Sequence, residues 1–99
     1  MTNIQRVFIL FITRHGTFRD DTYMDSIYSS EEGAWSRIEK KFYKYVEAIK
    51  TIGYEVRQIK FHNNGLTFEY EDPLMHVSGS IRYEIQERMV DHGEHLDWC

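Results

Sequence analysis

The sequence predicts an α+β domain: a mainly antiparallel sheet of about five strands with one long amphipathic helix, in the order β-β-α-β-β-β. Three observations carry this. From Ser29 to Gly53, apolar residues recur at helical spacing. After it, segments of alternating apolar and polar residues are separated by turn chemistry. Before it, Arg6 to Thr13 is apolar without alternation, the pattern of a strand covered on both faces.

The elements follow in order. Arg6–Thr13 is the first strand, and Thr22–Ser30 reads as its hairpin partner. Ser29 and Glu32 have the spacing of a capping box, in which serine accepts from early orphan amides and glutamate reaches back. Trp35, Ile38, Phe42, Tyr45, Val46, Ile49 and Ile52 then form one stripe, with Arg37, Lys40, Lys44 and Glu47 opposite. Gly53 suits the left-handed position beyond the helix end. In Tyr54–Phe61 the apolar positions slip from Tyr54 and Val56 to Ile59 and Phe61, which predicts a bulge near Arg57 and Gln58. Asn64-Gly65 predicts a type I′ hairpin turn into Leu66–Tyr70, and Pro73 ends that strand. Ile81, Tyr83 and Ile85 alternate with Arg82, Glu84 and Gln86 in the last strand.

Residues 1–99 form a single domain, and 41% apolar with 15% aromatic residues excludes a disordered chain. The longest apolar run, Val7 to Ile12, is too short for a membrane helix or a signal-peptide core. The lone Cys99 excludes an internal disulfide, so a reducing cytoplasm is the expected compartment. One helix covers one sheet face, whereas Val7–Ile12 calls for cover on both. A second copy of the chain is the simplest cover, and a homodimer or higher oligomer is expected.

The charge of −4 is unevenly spread: residues 66–99 hold two basic against eight acidic residues. Glu69, Glu71, Asp72, Glu84 and Glu87 are therefore read as a protein-contact face, joined by Tyr43, an aromatic lying off the helix stripe. Arg37, Lys40 and Lys44 form a basic strip. Interleaved glutamates and the acidic total make it a solvated helix face rather than a nucleic-acid surface.

Two stretches carry ligand-type residues. Asp91–Cys99 offers His92, His95, Asp97 and Cys99, residue types that suit zinc but lack four-ligand spacing, and no cofactor is expected. Arg14-His15-Gly16, directly after the first strand, resembles the opening of the histidine phosphatase (phosphoglycerate mutase-like) family, as do the capped helix start and the His-Gly of Val90–His95. The resemblance implies His15 as phosphoryl acceptor and Arg14 as phosphate ligand. The family's second-arginine element, Ser-x-x-x-Arg-Ala, is missing, and its crossover helices need a longer chain. Without phosphoryl transfer, Arg14, His15 and Arg19 read as a loop for a small ligand or nucleotide.

Ser26–Lys40, with a strand end, Tyr28-Ser29-Ser30-Glu31 and a helix start, is similar to small, poorly characterised bacterial and phage proteins. This likeness implies a structural motif and imports no catalytic residue. The sequence therefore reads as a non-catalytic, self-associating binding protein. The role expected is that of a phage- or mobile-element-encoded accessory protein that binds and inhibits a host defence protein in the host cytoplasm.

Overall fold

The computed structural model describes residues 4–16 and 20–91. The order is β1 (Ile4–Gly16), β2 (Asp20–Tyr28), α1 (Glu31–Thr51), β3 (Glu55–His62), β4 (Gly65–Asp72) and β5 (Val77–Asp91). The strands form one antiparallel sheet ordered β2-β1-β5-β4-β3, and α1 packs on one face of it. Because α1 connects the two edge strands, it crosses the whole face. Its apolar stripe meets side chains from every strand. No helix among the described residues is long and apolar enough to cross a membrane.

The core lies between α1 and that face: Leu10 and Ile12 of β1, Leu66 and Phe68 of β4, Ile81, Tyr83 and Ile85 of β5, and Ala34, Ile38 and Ile49 of the helix. Phe68 is fully buried at the centre, its ring 5.1 Å from Phe42 and 6.2 Å from Tyr83. Ile52, expected on the helix stripe, is instead the exposed C-cap, and Ala34 takes a core place.

Local chemistry accounts for the helix ends. The N-cap is Ser30, one residue after the expected Ser29, and its Oγ accepts from the Gly33 amide at 3.1 Å. At the other end Gly53 has φ 93°; its amide donates to Lys50 and the Tyr54 amide to Ile49. Those two bonds are the Schellman pattern, which the left-handed glycine makes attainable.

Three strand readings change. First, β1 and β2 run on through the predicted loop: Arg14 pairs with Asp21 and His15 with Asp20. Polar residues there extend the ladder because ion pairs replace apolar contacts between the strands.

Second, β2 carries a bulge. Leu10 pairs with Ser26 and Phe11 with Met24, so Asp25 is the extra residue. The β3 bulge is where the phase slip predicts it, with Arg57 extra between Val56 and Gln58.

Third, Asn63 and Asn64 form the β3–β4 turn, and neither has a positive φ, so the turn is not type I′. Gly65 already belongs to β4, and a Cβ there would lie 1.8 Å from the carbonyl oxygen of Tyr83. The glycine answers to the closeness of β5 rather than to turn conformation.

The face away from α1 has no covering element among the described residues. Ile9 is buried there, while Phe11 is half-buried and Met24 and Ile27 are exposed.

Candidate functional site

Strand alternation separates the two residues of the Arg-His pair. Arg14 points to the helix side with Ile12, and His15 to the uncovered face. His15 is largely exposed and its Nδ1 lies 3.1 Å from Asp20. It lines a cavity of about 640 Å³ with Asp20, Arg57, Glu69, Ser78 and Ser80. The two side chains leave β1 on opposite faces, yet both line a further cavity of about 450 Å³ at the strand end, together with Tyr45, Tyr54, Tyr70 and Asp72. Arg19, His92, His95, Asp97 and Cys99 lie outside the described residues. No group of three or more His, Cys, Asp or Glu side chains placed to hold a metal ion occurs among the described residues.

Arg14 also lies in a basic groove between α1 and the β1–β2 pair. Arg37, Lys40, Lys41, Lys44 and Ala48 supply the helix wall, and Arg14 and Tyr23 the strand wall. Ile12, Tyr45, Ile81 and Tyr83 complete the lining, and the volume is about 430 Å³. Arg14 donates from Nε to Asp21 at 2.8 Å and from Nη2 to the second carboxylate oxygen, while its guanidinium stands 5.3 Å from the Tyr23 ring centre. The hydrogen bond to Asp21 pushes its pKa further up.

Asp25, placed inward by the β2 bulge, holds the opposite wall. Its side chain is 7% exposed and accepts from Lys41 Nζ at 2.6 Å, from Ser26 Oγ at 2.7 Å and from Arg37 Nε at 3.3 Å. Desolvation pushes the Asp25 carboxyl up, but the hydrogen bonds from Lys41, Ser26 and Arg37 outweigh it and hold the pKa below the ordinary value. Burial raises the Tyr45 and Tyr83 hydroxyls well above the usual range, and at Tyr45 a hydrogen bond with Tyr70 adds to it.

A depressed carboxyl stabilises the fold above its unfolded pKa, and that contribution is lost as pH falls through the folded value. Asp25→Asn is therefore expected to cost about 1–2 kcal/mol near neutral pH. The difference from wild type should shrink as pH falls below the ordinary carboxylate range and through the lowered folded value. Urea midpoints measured across that range check both parts.

A groove of opposite character occupies the other flank of α1. Trp35, Phe42 and Tyr43 of the helix face Phe61 and Leu66 of the β3–β4 hairpin, with Glu32 and Glu39 alongside, in about 410 Å³. Tyr43 is 63% and Phe61 75% exposed. Tyr43 thus lies at a surface where apolar side chains gather.

The five acidic residues do not share one face. Glu69, Glu71 and Glu84 lie on the uncovered side, whereas Asp72 and Glu87 have the opposite strand parity. Glu71 also pairs with Arg57 at 2.8 Å, Glu84 with Arg82 at 3.5 Å and Glu87 with Arg6 at 3.2 Å. Asp72 accepts from the Leu74 amide in the following turn.

Tyr23, Asp25, Trp35 and Phe61 were not singled out as site residues by sequence reasoning. The spacing of Arg37, Lys41 and Lys44 was readable, but the inward turn of Asp25 depends on a bulge with no apolar phase slip to mark it. Comparison with protein-family models, with curated proteins and with solved structures found no match to this chain.

Proposed function

We propose that this chain is a non-catalytic binding protein that receives a basic, apolar segment of a partner protein between α1 and the β3–β4 hairpin. The observation that carries the reading is the pair Tyr43 and Phe61, two largely exposed rings from different elements lining one groove. A domain that already has a filled aromatic core seldom leaves such rings together in water without a partner to cover them. Glu32 and Glu39 along the same groove favour lysine or arginine beside the partner's apolar side chain. The biological half of the proposal is an accessory protein of a phage or mobile element that blocks a host protein, such as a defence factor. Self-association through the uncovered face, where Phe11, Met24 and Ile27 lie, belongs to the same proposal.

Affinity capture from host lysate, run beside a Tyr43→Ser/Phe61→Ser variant and a Glu32→Lys/Glu39→Lys variant, tests it. The expected result is a partner with a basic, apolar segment that both variants lose. Equal capture by all three proteins removes the groove from the proposal. Native mass spectrometry of the same samples should show at least two copies of the chain, and a monomer alone removes self-association.

A further inference from the structure

We infer that the basic groove between α1 and the β1–β2 pair is a binding site for a small ligand that joins phosphate to an aromatic ring, the nucleoside phosphate class. Five cations line it, and only some are neutralised. Asp21 holds Arg14, and Asp25 holds Arg37 and Lys41, whereas Lys40 and Lys44 have no carboxylate partner among the described residues.

The division has a chemical logic. Carboxylates fix the first three cations in place, so little side-chain entropy is lost when an anion arrives, and the two unpaired ammonium groups supply the excess charge. The Arg14 fork uses Nε and Nη2 on Asp21, and that pair leaves Nη1 out. Arg14 and Tyr23 together present a guanidinium–aromatic surface against which a planar base can stack.

Size favours a small ligand over a strand of nucleic acid. The groove's roughly 430 Å³ lies within the range of small-molecule sites, about 300–1,000 Å³. The chain as a whole carries −4, which repels a long polyanion beyond the groove. None of the lining residues belongs to the Tyr43–Phe61 groove, so this site stands or falls separately from partner docking.

Isothermal titration of the full chain with ATP, inorganic tripolyphosphate and a short oligothymidylate tests the inference. ATP is expected to bind, more weakly as salt rises, and Lys40→Ala/Lys44→Ala should weaken it about tenfold or more. Both lysines are exposed and alanine favours helix, so that variant keeps the fold; a thermal melt verifies it. Tyr43→Ser/Phe61→Ser should bind ATP like wild type. The inference is overturned by absence of binding at millimolar ATP, or by unchanged affinity in the lysine variant. Tripolyphosphate binding as tightly as ATP would reduce the groove to a simple anion trap and overturn the nucleotide assignment. Oligothymidylate binding more tightly than ATP would replace the assignment with a strand-binding surface.

Discussion

Gly65→Ala is expected to lower stability by about 3–5 kcal/mol or more, enough to unfold much of the population of an ordinary small domain. The added Cβ would lie 1.8 Å from the Tyr83 carbonyl oxygen and 2.9 Å from its carbon. Both are backbone atoms of the neighbouring strand, so no rotamer change relieves the overlap. The β4–β5 ladder must open where Gly65 pairs with Glu84 and where the Ile85 amide donates to the Asn64 carbonyl. At Gly53 the cost of substitution has another source: open space surrounds it, and only its φ of 93° resists a side chain. Urea denaturation reads the Gly65 effect as a lower midpoint with the slope retained. A wild-type midpoint would mean that β4 and β5 do not approach this closely.

Phe68→Ala should cost about 3–5 kcal/mol, with a melting temperature lower by roughly 15 °C or more. Phe68 is fully buried, and four other rings surround it: Phe42 at 5.1 Å, Tyr45 at 5.7 Å, Tyr83 at 6.2 Å and Tyr70 at 6.4 Å. These rings come from α1, β4 and β5, so their backbones cannot close together over the void, and the cavity term adds to the lost transfer energy. Phe68→Leu retains most of the volume and serves as the milder comparison. Equal melting temperatures for Phe68→Ala and wild type would show that the core lies elsewhere.

Much of the architecture was legible because it follows from short-range pattern. The 3.6-residue stripe marks α1 apart from its Ile52 end, the phase slip at Arg57 marks the β3 bulge, and alternation marks β5. What was not legible depends on pairs distant in sequence. Ending β1 at Thr13 was reasonable while Arg14 and His15 had no partners; Asp21 and Asp20 across the ladder make them strand residues. That extension gives Arg14 and His15 opposite strand parity, so each side chain leaves β1 on its own face. Asn64-Gly65 looked like turn chemistry because the space left by β5 is invisible in the β3–β4 segment alone. The five carboxylates looked like one acidic surface because linear density says nothing about strand parity.

The two bulges have a further consequence, for what happens when the protein is concentrated. Both edge strands, β2 and β3, are interrupted by one, at Asp25 and at Arg57. An irregular edge with an inward-turned carboxylate or an ion-paired arginine offers no continuous template of unpaired amides to another chain. The two bulges thus disfavour strand addition at both edges of the sheet. The exposed Phe61 and Met24 lie on these two interrupted strands, so these side chains do not sit on a regular, pairable edge.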